Sequence, residues 1–487
     1  MGVSLNPAAL LSGQGLNVST LVQQIIAQKT GALSVWQSQQ TTLATQDGLL
    51  EGINNNLTNL QTAVAALADP VGALAAQAAI SSQPSVVSAT ALSTAVTATH
   101  QIVVTALATT GSLYTDAIAS GANTSFLATG QTTGDVQLQI GGATGTTRDI
   151  AITQGSNDTL TTLASYINTQ SVANGWGVTA SVVSDATGSR LSLQSQSSGT
   201  TGALSIASNS NTTLTFAPPT GGTNAALTID GVPFSSSNNT VTGAIQGVTL
   251  TLLSQSPVST PVQLTVGPDT SQITNAVNNF VSAYNTVIST INTQYVVDPT
   301  GSIPAPPLEA DISLRSLQSR LLNDASYAIG GNSGLVNLAS LGINENNDGT
   351  LTVGSTPAPS SQTFAQILAA NPSAVQSFFQ NASGTGFANV FNADLTSLTS
   401  PTQGPLSVDL TQNQAEYNDL TQTITNFQTQ LSQETSALTL QYDAVNASLQ
   451  AYPLLLQEIT QTLGSLGSGT SSSGSTLSSG PILTSGL

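Results

Sequence analysis

The chain has no cysteine and very few cations. Because cysteine is absent from all 487 residues, disulfides, thiolate nucleophiles and cysteine-ligated metals are excluded. Five Lys and Arg residues stand against 23 Asp and Glu residues, which gives a net charge of −18. Nucleic acids and anionic membrane surfaces are bound through clustered cations, so we expect no nucleic-acid partner and no attraction to such a membrane.

Long hydrophobic runs are also missing. The most apolar window, residues 63–80, is rich in alanine and is interrupted by Asp69, Pro70 and Gly72. No basic segment followed by an apolar one opens the sequence. We therefore expect no Sec-type signal and no membrane insertion. A chain of this length exceeds one hydrophobic core, and about two to four domains are expected.

Both ends of the chain show helical periodicity. From about residue 16 to residue 68, apolar residues recur every three or four positions, with polar interruptions at Lys29, Gln40 and Asp47. Asp69-Pro70 is expected to end this pattern. Residues 417–466 show near-heptad apolar spacing, with a one-residue slip before Tyr442, and Pro453 is expected to kink or interrupt the helix. The Gly/Ser-rich tail beyond residue 467 has the composition of a disordered segment.

Between the helical ends, short alternating runs predict β-strands. Examples are DVQLQIGG (135–142), RLSLQS (190–195), LTIDGVPF with an Asp-Gly turn (227–234) and GVTLTLLS (247–254). One capped helix over residues 156–168 interrupts them, and helical spacing returns after residue 271. The sequence thus predicts an α+β fold in which terminal long helices form a coiled-coil or helical-bundle stem and β-rich domains are inserted between them.

Domain boundaries follow from these changes in pattern. We expect a loose amino-terminal helical segment (1–35), a stem helix (36–75), an inner β domain in two parts (76–125 and 223–268), an outer β domain (126–222), a helical stem domain (269–453), and a carboxy-terminal helix with a disordered tail (454–487).

Several segments resemble the bacterial flagellar filament-cap family, also called hook-associated protein 2. The similar segments are GLNVSTLVQQIIAQKTGAL (15–33), IDGVPFSSSNNTVTGAIQGVTLTLLS (229–254), ITNAVNNFVSAYNTVISTI (273–291) and LASLGINENNDGTLTV (338–353). The outer β domain resembles the insertion module that flagellins share with hook-associated proteins. The resemblance implies export by the flagellar type III apparatus with an export chaperone and no cleaved signal. It also implies a ring-shaped homo-oligomer, often a pentamer, that assists flagellin at the distal filament tip.

The candidate functional residues form apolar seams. The predicted stem and assembly seam comprises Leu50, Ile53, Leu57, Leu60, Val64, Leu67, Leu420, Ile424, Phe427, Leu431, Leu438, Val445 and Leu449. The predicted intermolecular residues are Leu21, Val22, Ile25, Ile26, Leu456, Ile459 and Leu463. We expect residues 36–68 and 405–450 to form intramolecular core, with the stripe Leu420–Leu431 packed against residues 50–67.

No catalytic, cofactor or metal site is predicted. His100 is interpreted as a solvent-facing strand residue, and residues 344–349 (NENNDG) as a turn between strands because position twelve of a calcium loop would be Ser355. Glu309 and Asp311 are interpreted as charges at a helix start. Residues 141–145 (GGATG) are interpreted as a hairpin turn.

Three classes of function are compatible with the sequence. The first is a structural assembly factor that caps the filament, and the second is a filament or hook–filament junction subunit. The third is an enzyme or sugar-binding adhesin carried on the β domains. The block 229–254 ahead of residues 273–291 favours the first class, because flagellins place no such block before their final helices. Adhesion by the outer β domain remains open as an added role.

Overall fold

The structure, a computed structural model, describes residues 17–257, 260–296, 298–302, 304–354 and 362–467. The described chain divides into two compact units. Unit 1 contains the chain up to Leu57, Thr290–Ser319 and the chain from Ser397; unit 2 contains Thr58–Ser289 and Arg320–Thr396. The Gly/Ser tail expected beyond residue 467 and the first part of the amino-terminal segment lie outside the described residues.

The chain contains nine α-helices of four residues or more within the described ranges. They are α1 Val18–Lys29, α2 Gly31–Ala68, α3 Leu160–Asn174, α4 Thr270–Thr293, α5 Ile312–Ala325, α6 Phe364–Ala370, α7 Pro372–Phe379, α8 Phe387–Leu398 and α9 Pro405–Gly467. The Asn17 side chain caps α1 by accepting a hydrogen bond from the Thr20 amide at 3.1 Å. Both predicted terminal helices are therefore present.

Helix α9 continues without a break across Pro453 over its 63 residues. Of the two outcomes expected at that proline, the interruption is contradicted by the continuous helix, and the kink stays a prediction. A proline removes one backbone donor, and in a helix of this length the turns on either side keep their own hydrogen bonds.

The strands are short and their pairings are antiparallel. Their bounds are β1 Gln77–Ser81, β2 Val87–Ala91, β3 Ala98–Ala106, β4 Thr110–Tyr114, β5 Thr133–Ile140, β6 Thr146–Thr153, β7 Val178–Asp185, β8 Gly188–Ser198, β9 Leu204–Ser210, β10 Ala225–Ile229, β11 Val232–Ser236, β12 Thr240–Ile245, β13 Val248–Leu252, β14 Val262–Pro268, β15 Ile343–Glu345 and β16 Leu351–Val353. All of these strands except β15 and β16 belong to the two β cores described next.

The inner β core of unit 2 is built from two sheets. One has the order β1-β14-β3-β10-β11 and the other β12-β13-β2. Their inward residues, including Ile102, Leu250 and Leu264, are fully buried in one cluster. The Asp-Gly turn predicted between β10 and β11 is confirmed. Asp230 and Gly231 have φ values of 53° and 85° and join the paired residues Ile229 and Val232.

The outer β core has two three-stranded sheets, β4-β8-β7 and β6-β5-β9, together with α3. Thr159 caps α3 in a capping box with Thr162, and the predicted face of α3 is buried. Strand β4 pairs with β8, and its Leu113 is buried in the outer cluster. The outer core therefore begins near residue 110, earlier than the predicted boundary at 126. The reason is that the alternation of β4 shows that it is a strand but does not identify its partner.

The helical part of unit 2 is held by an aromatic cluster. It comprises Phe280, Tyr284, Phe378, Phe379, Phe387 and Phe391, and all six side chains are fully buried. Phe387 lies 5.4–5.9 Å, ring centroid to centroid, from four of the others. Such edge and stacked contacts add to the free energy of apolar burial. The predicted periodicity of α4 is confirmed, since Ile273, Val277 and Val287 are all buried.

Candidate assembly surface

In unit 1, helix α1 and the start of α2 pack against α9. Three contacts set the register: Lys29 with Glu434, Trp36 with Phe427, and Gln40 with Thr421. The residue numbers of these partners rise along α1 and α2 while they fall along α9, so α1 and the start of α2 lie antiparallel to α9. We call this contact region, residues 18–43 with residues 417–438, the stem seam.

An aromatic pair lies at the centre of the stem seam. The Trp36 and Phe427 rings are 5.1 Å apart between centroids with an interplanar angle of 87°, an edge-to-face contact, and both side chains are half-buried. Ile424 and Leu431 lie one turn to either side of Phe427 and are each 8% exposed. The Trp36 side chain was in the apolar pattern of the sequence but was not among the predicted seam residues.

Polar contacts at the stem seam are exposed. The Lys29 ammonium pairs with the Glu434 carboxylate, and their side chains are 49% and 31% exposed. The Gln40 amide donates to the Thr421 hydroxyl at 2.7 Å. Exposed ion pairs contribute little free energy because water competes with them, so the stability of the seam rests on its apolar contacts.

The predicted partner of the stripe Leu420–Leu431 is wrong. We expected residues 50–67 opposite it, whereas the structure places residues 36–40 opposite Thr421 and Phe427. Leu50 lies 14 residues beyond Trp36 on α2, or roughly 21 Å along a helix axis. Apolar spacing recurs at every turn, so it carries no information about how far two helices slide past each other.

The predicted amino-side residues are all buried, but they are split between the units. Leu50, Ile53 and Leu57 belong to unit 1, and Leu60, Val64 and Leu67 belong to unit 2. In unit 1 the Asn56 amide donates to the Thr290 hydroxyl at 3.3 Å. In unit 2 the Gln61 amide donates to the Thr396 hydroxyl at 3.1 Å.

Burial decreases along α9 towards its carboxyl end. Leu420, Leu438 and Leu449 are half-buried, and Val445 is 47% exposed. The expectation that residues 405–450 form core throughout is therefore wrong at Val445. Beyond Val445, α9 has few covered apolar side chains.

The predicted intermolecular residues fall into two groups. Val22 is 2% exposed, and Leu21, Ile25 and Ile26 are half-buried, because α1 packs on α9 within the chain. The residues predicted near the carboxyl terminus are exposed: Leu456, Ile459 and Leu463 are 60%, 49% and 64% exposed. The adjacent Leu454 and Leu455 are 68% and 52% exposed. Leu455, Leu456, Ile459 and Leu463 lie within about 100° of each other around the helix axis, and we call these four residues the carboxyl-terminal face; Leu454 lies on the other side of the helix. An exposed apolar patch of this kind is typical of a protein–protein contact.

The polar candidates have structural partners. His100 lies on β3, but it does not simply face solvent, because its Nδ1 is 2.7 Å from Oδ2 of Asp230 in the β10–β11 turn. The backbone N–H of Gln101 donates a hydrogen bond to the other carboxylate oxygen of Asp230. The His100 contact and this backbone hydrogen bond lower the pKa of the Asp230 carboxyl. Asp311 accepts a hydrogen bond from the Leu314 amide at 2.9 Å and caps α5, as expected for a charge at a helix start.

Both predicted turns are confirmed. Residues 346–350 join β15 and β16 in an antiparallel hairpin, and Gly349 has a φ of 80°. Residues 141–145 join β5 and β6, and a Cβ on Gly145 would lie 2.0 Å from the Ile140 carbonyl oxygen.

In the part of the chain that the structure describes, no cluster of three His, Asp or Glu side chains could hold a metal ion. No helix in the described ranges is long and apolar enough to cross a membrane.

The fold and seam define a class of protein: an α+β chain whose two ends meet in a helical stem and whose middle forms β domains. Models of the flagellar hook-associated protein 2 N-terminus and C-terminus match residues 14–111 and 222–452, and the flagellin hook IN motif matches residues 135–197. The chain belongs to the flagellar hook-associated protein 2 family. This is a family of structural proteins of the bacterial flagellum.

Individual relatives agree with the family models. The B-type flagellar hook-associated protein 2 of Pseudomonas aeruginosa is 31% identical over 362 residues, which cover 69% of this chain and 73% of that protein. A polar flagellar hook-associated protein 2 of Vibrio parahaemolyticus is 36% identical over 135 residues, 27% of this chain and 20% of that protein. The crystal structure of the D1-D2-D3 domains of the flagellar cap protein FliD from Escherichia coli has a TM-score of 0.54 and 25% identity. The match covers 75% of this chain and 99% of the Escherichia coli chain.

Proposed function

We propose that this protein caps the distal end of the flagellar filament as a ring of identical subunits. It would promote the polymerisation of flagellin and prevent the loss of unpolymerised flagellin from the tip. The family supports a role in the flagellum, and the Escherichia coli neighbour is itself called a flagellar cap protein. Export through the type III apparatus with a dedicated chaperone, and a pentameric ring, belong to the same proposal.

The observation that carries the proposal is the carboxyl-terminal face. Its four apolar side chains are 49–64% exposed at the end of a helix whose earlier part packs in the stem seam. Exposed leucines on a helix are stabilised when another apolar surface covers them, and identical subunits in a ring supply such surfaces in a closed arrangement. We therefore assign subunit–subunit or subunit–flagellin contact to this face.

Native mass spectrometry of the purified chain tests the proposal. We expect a ring for the native chain and its loss in the double variant Leu455→Asp/Ile459→Asp, because two carboxylates would be buried in the contact without cations. The matched control Gln457→Asp/Gln461→Asp adds the same charge to exposed polar positions of the same turns and should keep the ring. A chain that is monomeric at every concentration, even with flagellin present, would refute the proposed ring.

A cell-based assay tests the capping role separately from the ring. In cells that lack the native gene, the Leu455→Asp/Ile459→Asp variant should leave filaments short and release flagellin monomer into the medium. The glutamine control should restore filaments. Full-length filaments with the leucine and isoleucine variant would assign the carboxyl-terminal face to something other than capping.

The alternative function is a filament or hook–filament junction subunit. Such a subunit would be found along the filament or at its base rather than at its tip, so immunogold labelling of filaments distinguishes the two.

Adhesion by the outer β core is a further proposal. It rests on the cross-strand row of Tyr114, Ser192 and Ser181 on β4, β8 and β7, in which Tyr114 is 44% exposed, Ser181 is exposed and Ser192 is half-buried. Binding of the chain to glycan arrays, lost in Tyr114→Ala, would test it.

A further inference from the structure

Unit 2 contains two acidic side chains on different helices that approach each other. Helix α5 carries Arg320 and Asp324 one turn apart, and α8 carries Asp394. The Arg320 guanidinium forms an ion pair with Asp394, and the Asp394 side chain lies within hydrogen-bonding reach of the Asp324 carboxyl. Oδ2 of Asp324 is buried and accepts no hydrogen bond. One cation thus faces two carboxyl groups.

The neighbouring elements add no second cation to this cluster in the described chain. Helix α4 contributes Tyr284, which is fully buried and whose hydroxyl lies 3.4 Å from the Leu321 carbonyl oxygen. Burial, together with the negative charges of Glu345 on β15 and Asp324, raises the pKa of Tyr284, so its phenol stays neutral. The charged groups around Asp324 are therefore Arg320, Asp394 and, beyond the tyrosine, Glu345.

Two carboxylates in contact repel each other strongly, and a shared proton removes the repulsion. Burial first, and then the neighbouring Asp394 charge and its hydrogen bond, raise the pKa of Asp324 to about 7, while Arg320 acts in the opposite direction. The proton can lie between the two carboxyl groups, with Arg320 balancing the one negative charge that remains.

We propose that Asp324 and Asp394 share a proton and form a pH-sensitive latch between α5 and α8. With the proton present, the two side chains join the helices by a hydrogen bond. When the proton is lost, two carboxylates face one arginine, and repulsion loosens this part of unit 2. The proposal is independent of the capping role.

The direction of the effect follows from linkage. The pKa of Asp324 is higher in the folded chain than in the unfolded one, so the stabilisation is fully present below the ordinary aspartate pKa of 3.8. It is lost as the pH rises through about 7. The folded region should therefore be tighter at pH 6 than at pH 8.

Hydrogen exchange at pH 6 and pH 8, corrected for intrinsic exchange rates, tests the latch. The protection factors of the α5 and α8 amides within unit 2 should be about threefold to tenfold lower at pH 8 than at pH 6. The tenfold value applies to a group that solvent does not screen. Amides of α3, in the outer β core, supply an internal control. The same loss in α3 as in α5 and α8 would overturn the proposal.

Two variants sharpen the result. Asp324→Asn keeps a hydrogen-bond donor for Asp394 but cannot titrate, so protection in α5 and α8 should become equal at the two pH values. The control Asp149→Asn changes an exposed aspartate of β6 and should keep the native difference. An unchanged difference in Asp324→Asn would refute the latch. If that variant does not fold, carbon-13 NMR of labelled aspartate in the native chain decides the question: a carboxyl titrating near pH 7 supports the latch, and its absence overturns it.

Discussion

The stem seam can be tested by placing a charge at its centre with Phe427→Asp. Phe427 is half-buried and makes an edge-to-face contact with Trp36 at 5.1 Å. Loss of the aromatic pair costs about 0.5–1.5 kcal/mol, and loss of partial apolar burial costs about 1–2 kcal/mol more. Lys29, the cation of the seam, lies seven residues before Trp36 and pairs with Glu434, so it does not neutralise the new carboxylate.

The total expected loss is about 1.5–3.5 kcal/mol in the free energy of unfolding of unit 1. It is smaller than for a fully buried phenylalanine, because solvent reaches part of the ring. The outer and inner β cores lie in unit 2 and should keep their unfolding transition. The seam should therefore melt first in the variant.

Fluorescence of Trp36 reports the change directly. The chain has two tryptophans, and Trp176→Phe leaves Trp36 as the single probe. In that background Phe427→Asp should lower the denaturant midpoint seen by Trp36, while Phe427→Leu should lower it less. Gln422→Asp adds the same charge at an exposed position of α9 and should have little effect. An unchanged midpoint in Phe427→Asp would refute the packing of α9 on α2 at this position.

Three further results are expected. Phe387→Ala should destabilise the helical part of unit 2 by about 3–5 kcal/mol in chemical denaturation, because the ring is fully buried among four others; a loss below about 1 kcal/mol would contradict this packing. A double-mutant cycle on Lys29 and Glu434 should give a coupling energy below about 1 kcal/mol that decreases with salt, because both side chains are exposed; a larger, salt-independent value would contradict it. The lowered pKa of Asp230 stabilises the fold above the ordinary aspartate value of 3.8, and this contribution is lost as the pH falls through the lower folded value. Acid unfolding of Asp230→Asn should therefore be less steep than that of the native chain, and equal slopes would argue against the His100 contact.

The local elements of this protein were determined by the sequence alone. Alternation of Val136, Leu138 and Ile140 defines β5, and the three-four spacing of Ile273, Val277 and Phe280 defines α4. The Asp-Gly pair at 230–231 defines a tight hairpin, because it tolerates the positive φ values that such a turn requires. These signals are local: each depends on residues that are close together in the chain.

The pairing of elements was decided only by the tertiary structure. Periodicity showed that α9 has an apolar stripe, but every turn of a helix offers the same spacing, so it could not place Phe427 opposite Trp36 rather than opposite Leu50. The Asp324–Asp394 pair joins residues 70 positions apart, and no pattern in either helix announces it. Burial and charge proximity depend on which surfaces meet, and that choice minimises the free energy of the whole folded unit rather than of any one segment.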